Sequence, residues 1–255
     1  LADVCSAYHA VGNKVIVLLN IVCVIATASW KEQPDAILCA WQAGQEGGNS
    51  VADVLTGKAS PSGKLAMTWP VRSADHASPM NFPIDIKPEF NTTDHGTLKH
   101  ERKYYYYTNF EEDVFVGYRY FASFCVPVSY PFGYGLSYTS FEYSGLTMAP
   151  GDDKDIYQTV TCTVTNTGNC DGDEVVQLYI NDVVSSVETP HMLLKGFQRI
   201  SLKKGESKQV TFRLTFDDLA LYDLNLKQVV EPGTFKVMVG AASNDIRLKG
   251  SFEIK

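Results

Sequence analysis

The sequence lacks the marks of several function classes. Its six cysteines, at positions 5, 23, 39, 125, 162 and 170, form no CxxC pair, and no histidine stands beside them at ligand spacing. A metal site is therefore not expected. No apolar run is long enough to cross a bilayer; the longest, residues 15–28, is interrupted by Asn20. Positive charge is in deficit, with 22 Lys and Arg against 29 Asp and Glu and a formal net charge of -7. Nucleic-acid and anionic-membrane surfaces need a basic patch, so neither partner is expected. The glycine-rich turn at residues 44–48 lacks the Lys-Ser/Thr ending of a phosphate-binding loop. Ser137 lacks the G-x-S-x-G elbow, and His9, His76, His95, His100 and His191 show no nucleophile–base arrangement. No cofactor is implied.

What is there describes a globular protein. Hydrophobic residues make up 45% and charged residues 20% of 255 positions, enough for one large or two ordinary domains. Fourteen tyrosines and 13 phenylalanines lean toward β structure, where aromatic rings fit half-buried pleated surfaces. The tyrosine excess also suits sugar contact, although packing is its ordinary use. Cys5, Cys23 and Cys39 lie in apolar runs and read as small core residues. Cys162 and Cys170 could meet across a strand pair, leaving a disulfide open as an alternative to two thiols.

The organisation changes along the chain. The chain opens inside a helical pattern without an initiator Met, which reads as a partial or processed chain. Leu1, Val4, Cys5 and Tyr8 share a helical face, and Gly12-Asn13 closes that helix. The continuous apolar runs at residues 15–19 and 36–41 read as strands covered on both faces. Short helices are expected at residues 27–31 and 49–55, and a strand at 64–69. Strand and helix in alternation is the grammar of a parallel α/β sheet, of which residues 1–70 would be about half. Residues 71–135 read as an irregular connecting segment packed on the α/β part, discouraged from regular structure by Pro79, Pro83 and Pro88. Within it lie the sequon at Asn91, an aromatic run at 104–107 and a strand at 115–121. From residue 136 onward period-two alternation takes over. Val160, Cys162 and Val164 are followed by Val176, Leu178 and Ile180, by Val210, Phe212 and Leu214, and by Phe235, Val237 and Val239. Turns at Asn166-Thr167-Gly168, Lys204-Gly205 and Pro232-Gly233 separate them. About seven strands over roughly 120 residues make an immunoglobulin-like β-sandwich.

Several long motifs in order carry a resemblance. Ala36-Ile37-Leu38-Cys39-Ala40-Trp41-Gln42-Ala43-Gly44-Gln45-Glu46-Gly47-Gly48 is followed by Ala52-Asp53-Val54-Leu55 and by Pro61-Ser62-Gly63-Lys64-Leu65. This series resembles the C-terminal α/β domain of family 3 glycoside hydrolases, many of which are β-glucosidases. Val116-Gly117-Tyr118-Arg119-Tyr120-Phe121 and Tyr130-Pro131-Phe132-Gly133-Tyr134-Gly135-Leu136-Ser137-Tyr138 resemble the stretch leading into that family's last domain. Gly172-Asp173-Glu174-Val175-Val176-Gln177-Leu178-Tyr179 and Leu194-Lys195-Gly196-Phe197 resemble its fibronectin-III-like domain. The fold this implies is a partial parallel α/β sandwich domain at residues 1–70, the connecting segment at 71–135, and a fibronectin-III-like β-sandwich at 136–255. One stretch departs from the family: Val22-Cys23-Val24-Ile25-Ala26 stands where it usually has small residues or glycine. β-Branched residues oppose the close backbone approach that glycine allows.

The chemistry the resemblance implies is retaining, exo-acting hydrolysis of β-glycosides. That needs two carboxylates flanking the scissile bond. The family's nucleophile is an Asp on an N-terminal barrel, and its acid/base Glu commonly precedes the position of Leu1. Neither motif is in this sequence, so no catalytic residue is assigned, and the chain by itself is expected to be inactive. The implied partners are an oligosaccharide or β-glucoside substrate and the N-terminal barrel of the full-length protein. An extracytoplasmic location follows from the same resemblance.

Four residues are candidates for substrate contact: Glu46, Glu112, Tyr118 and Arg119. Glu46 follows a strand's C-terminal end, where α/β sheets bind ligands. It equally suits a helix N-terminus, where a carboxylate complements the dipole, and that reading is preferred. Glu112 belongs to the acidic run Glu111-Glu112-Asp113, ordinarily a solvated loop. Arg119 between Tyr118 and Tyr120 could clamp a sugar with tyrosines stacked beside it, or pair with a neighbouring acid on a strand. Asp173 and Glu174 read as solvated residues at a strand's start. Two other functions stay open: a non-catalytic carbohydrate-binding or structural module, and a self-sufficient hydrolase using Glu46 or Glu112.

Overall fold

The computed structural model describes residues 1–78 and 110–255, and between them the backbone of four short strands. Helix α1 (Ala2–Ala10) leads into strand β1 (Ile16–Leu19), which pairs in parallel with β2 (Ala36–Cys39). Asp35 ties the three together. Its carboxylate takes Lys14 Nζ at 2.7 Å, His9 Nε2 at 2.8 Å and the Val15 amide at 2.8 Å. Helix α2 (Gly47–Leu55) follows the glycine-rich turn, and β3 (Trp69–Pro70) ends the α/β part.

The expected helix at residues 27–31 is a single turn closed by Trp30 and Lys31 amides on the Thr27 carbonyl. The expected strand at 64–69 shortens to β3, because Leu65 is engaged instead with the backbone of Gly133 and Tyr134, at 2.8 Å each way. Of the apolar face on α1 only Cys5 is buried; Leu1, Val4 and Tyr8 are half exposed, as are Ile16 and Leu18 on β1. Cys23 was expected in the core and is exposed, because the segment after β1 turns outward with Val22 69% exposed.

Between the two main parts run β4 (Asp85–Glu89), β5 (Thr92–Asp94), β6 (Thr97–Lys99) and β7 (Lys103–Tyr107). β4 pairs antiparallel with β7, and β5 with β6. The aromatic run 104–107 thus falls on a strand, whereas Asn91 lies outside the described residues. Helix α3 (Tyr118–Ser123) stands where a strand was expected over 115–121. Gly117, at φ 59°, redirects the chain into it, and residues 118, 121 and 122 then face one side. Phe121 is buried there. Strand β8 (Val128–Tyr130) returns to pair with β3.

The rest is a two-sheet sandwich. One sheet has the order β13 (Ser207–Thr215), β10 (Ile156–Asn166), β9 (Phe141–Pro150). The other has the order β12 (Leu193–Leu202), β11 (Gly172–Asp182), β16 (Gly233–Ala242), β17 (Asp245–Ile254). A short helix α4 (Phe216–Leu219) and the two-residue strands β14 (Leu221–Tyr222) and β15 (Gln228–Val229) lie between β13 and β16. All twelve alternating residues named from the sequence are buried between the sheets. Burial on this scale is the main stabilising contribution, at roughly 1.5–3 kcal/mol per large apolar side chain. Cys162 belongs to that core, while Cys170 sits on an exposed turn, so both are free thiols rather than a disulfide.

Asn166 closes the turn between β10 and β11. It is fully buried, and its side chain makes four hydrogen bonds. Oδ1 accepts from Thr139 Oγ1 at 2.6 Å and the Gly168 amide at 3.1 Å, and Nδ2 donates to the carbonyls of Cys170 at 2.9 Å and Leu202 at 3.1 Å.

Candidate functional site

The second face of the four-stranded sheet is also covered. Tyr179 on β11 is fully buried against Met192 and Met238, with Tyr118, Ala122 and Phe132 of the connecting segment packed over them. The Tyr118 ring stacks on Phe132 at 4.5 Å and meets the Tyr179 ring edge-on at 6.0 Å. Its hydroxyl accepts the Leu194 amide at 2.8 Å, and burial pushes its pKa up. Gln177 fastens the same junction, donating to the carbonyls of Ala241 at 2.6 Å and Gly133 at 3.2 Å while Tyr179 donates to its Oε1. The connecting segment therefore lies on a sheet face of the sandwich, not only on the α/β part.

A cleft opens beside this junction. Tyr118 and Arg119 line it together with Thr68, His76 and Lys195. Burial lowers the Lys195 pKa, and its ammonium donates to the Asp217 carbonyl at 3.2 Å. The Thr68 hydroxyl is buried without a hydrogen-bond partner among the described residues. The cleft is thus an apolar slot rimmed by cations, suited to an anionic or hydroxyl-bearing group.

Glu46 and Glu112 do not line this cleft. Glu46 is exposed at the N-cap of α2, where it accepts Asn49 Nδ2 at 2.6 Å. It stands beyond the carboxyl ends of β1 and β2, the side on which open α/β sheets take ligands. Glu112 lies in the turn before α3. Its neighbours Glu111 and Asp113 are exposed, but its Oε2 is buried without a partner among the described residues. The four candidates therefore fall in three places.

Sequence reasoning missed two features near these sites. Trp41, next after Ala40 at the end of β2, has φ 52°, a conformation that non-glycine residues adopt at a cost of about 1–3 kcal/mol and that clusters at functional sites. Its ring meets Trp69 edge-on at 6.0 Å, and Trp69, 2% exposed, meets Tyr130 at 5.8 Å. No residue type marked the position. The second feature is Glu174, expected in solvent but only 4% exposed. It pairs with Lys64 at 3.1 Å, across the boundary between the α/β part and the sandwich. Docking of Lys64, whose ammonium also donates to the Gly135 carbonyl at 2.9 Å, is what buries it.

A short parallel α/β unit, a docked connecting segment and a seven-stranded sandwich follow one another along the chain. The Glycosyl hydrolase family 3 C-terminal domain matches residues 2–138, and the Fibronectin type III-like domain matches residues 174–243. The chain belongs to glycoside hydrolase family 3 and carries its C-terminal region. It is 39% identical to the thermostable beta-glucosidase B of Acetivibrio thermocellus over 249 residues, covering 95% of this chain and 30% of that protein. It is 38% identical to the exo-alpha-(1->6)-L-arabinopyranosidase of Bifidobacterium longum over 238 residues, covering 93% of this chain and 29% of that protein. Among solved structures, beta-glucosidase 3B from Thermotoga neapolitana in complex with glycerol superposes with a TM-score of 0.83 at 40% identity. That match covers 100% of this chain and 33% of the other. The chain thus spans about a third of the length of the proteins it resembles.

Proposed function

We propose that the chain is the C-terminal portion of a retaining, exo-acting β-glycosidase, with a β-glucoside or a related glycoside as substrate. In this reading the α/β unit walls the sugar pocket from the side of Trp41 and Glu46, and the sandwich buttresses it. The observation that carries the reading is the order of the two domain matches along a chain one third as long as its relatives. The half-exposed face of Leu1, Val4, Tyr8, Ile16 and Leu18 supports it. A two-stranded sheet is too small to stand alone and calls for further strands or a partner domain, the place the family resemblance gives to an N-terminal barrel. Glu46 and Glu112 act by position, not as the catalytic pair. Arg119 and Tyr118 shape the junction through which the sandwich supports the pocket.

Which sugar is cleaved stays a matter of the full-length protein, since similar C-terminal regions accompany a beta-glucosidase and an arabinopyranosidase. The test is an assay of the 255-residue chain on a nitrophenyl β-glucoside. No turnover above the uncatalysed rate is expected. Turnover that disappears on Glu46→Gln or Glu112→Gln would instead make the chain a self-sufficient hydrolase.

A further inference from the structure

A second cleft, of about 670 Å³, runs between the α/β part and the sandwich. Its walls carry Lys31, Glu32, Lys64, Glu174, Asp245 and Arg247, three cations against three anions. A site for an ion would leave an excess of the opposite charge, and here there is none. Glu174, nine-tenths buried, uses Oε1 for both Lys64 and the Val175 amide, while Oε2 has no partner among the described residues. That oxygen keeps contact with the solvent of the cleft, so a ligand hydroxyl can donate to it in place of water.

The aromatic side of the cleft agrees. Tyr130 and Tyr134 line it with ring centroids 5.2 Å apart, and Lys31 Nζ lies 5.1 Å above the Tyr130 ring. Neither phenol hydroxyl has a hydrogen-bond partner among the described residues. Both have pKa values raised by burial and, more weakly, by the Glu32 carboxylate, so both stay donors at neutral pH. Asn244 adds an amide to the lining of the cleft. Aromatic rings flanked by balanced donors and acceptors suit a neutral polyhydroxylated ring, whose CH faces pack and whose hydroxyls pair.

We propose that this cleft between Tyr130, Tyr134, Glu174 and Asn244 is a binding site for a neutral saccharide unit. It goes beyond the pocket-wall role proposed above and stands whether or not that role does.

The test is an amide-resolved NMR titration of the chain with methyl β-glucoside and cellobiose, alongside glucuronate and glucosamine as charged analogues. The expected result is saturable shifts at Tyr130, Tyr134 and Asn244 with the neutral sugars, and no tighter binding of either charged one. Tyr134→Phe and Tyr130→Phe keep the rings and remove only hydroxyls without protein partners. Each is expected to weaken binding about fivefold, the value of one neutral hydrogen bond, with unchanged melting. No saturable shift at the cleft, affinity indifferent to both variants, or preference for a charged analogue by more than about tenfold would overturn the proposal.

Discussion

Replacing Lys64 by methionine is expected to destabilise the whole chain, because it leaves a buried carboxylate without its cation. Glu174 is 5% exposed at its side chain and Lys64 14%, and they meet at 3.1 Å. Removing one partner of such a pair costs about 3–5 kcal/mol, whereas removing both together costs far less. Lys64→Met also orphans the Gly135 carbonyl, which places the effect at the upper part of that range. At roughly 2–4 °C per kcal/mol for a chain of this size, a loss of about 4–5 kcal/mol lowers the midpoint by roughly 8–20 °C. Glu174→Leu alone leaves the Lys64 ammonium its bond to the Gly135 carbonyl and is expected to cost less. The double variant Lys64→Met/Glu174→Leu recovers much of the loss, so that the coupling energy in a thermal or urea double-mutant cycle exceeds about 1 kcal/mol. A Lys64→Met loss below about 1 kcal/mol, or a double variant equal to the sum of the singles, would refute the claim that this pair fastens the sandwich to the α/β part.

Three further outcomes follow from the same geometry. Asn166→Ala strips four hydrogen bonds from a fully buried side chain. It is expected to cost about 3 kcal/mol or more in urea unfolding. Gly135→Ala drives a methyl into the Gly63 backbone carbonyl, which cannot swing aside as a side chain can, and is expected to lower stability by about 1–3 kcal/mol, while Gly44→Ala meets nothing and is tolerated. Asp35 is held well below the usual carboxylate range by hydrogen bonds from Lys14, Val15 and His9. A depressed carboxylate stabilises the folded state above its unfolded value of 3.8 and loses that contribution as pH falls toward its folded value. Unfolding of the α/β part, followed by Trp30 and Trp41 fluorescence, is therefore expected to become easier below about pH 4, and Asp35→Asn to remove that part of the pH dependence.

The sandwich was legible in the sequence because its strands bury one face by strict alternation. Val160, Cys162 and Val164, with their counterparts on three other strands, marked the core directly. Where a strand is covered on both faces the alternation fails. On β11 Gln177 and Tyr179 are buried along with Val176 and Leu178, because Tyr118 and Phe132 cover Tyr179 and the Gly133 and Ala241 carbonyls take Gln177. The same docking hid Glu174, whose burial depends on a lysine 110 positions away. Residues 115–121 misled for a related reason. Their aromatic content suits a strand, but Gly117 turns the chain and the rings at 118 and 121 are taken up by helical spacing. At the candidate site, Tyr118 and Arg119 were marked by composition and do share a cleft. Trp41 carried no local signal, since its backbone conformation is imposed by its surroundings and not by its residue type.

The measurement that bears most directly on the account is complementation. The Acetivibrio thermocellus beta-glucosidase B, shortened by the region matching this chain, is mixed with the 255-residue chain and assayed on a nitrophenyl β-glucoside. Neither piece is expected to turn over alone, and the mixture is expected to do so, with saturation as the chain is titrated in. Loss of activity is expected when Val4→Asp and Leu18→Asp together spoil the half-exposed face of α1 and β1. Activity of the shortened enzyme without the chain, or of the chain without it, would contradict the claim that this region completes a sugar pocket it cannot form by itself.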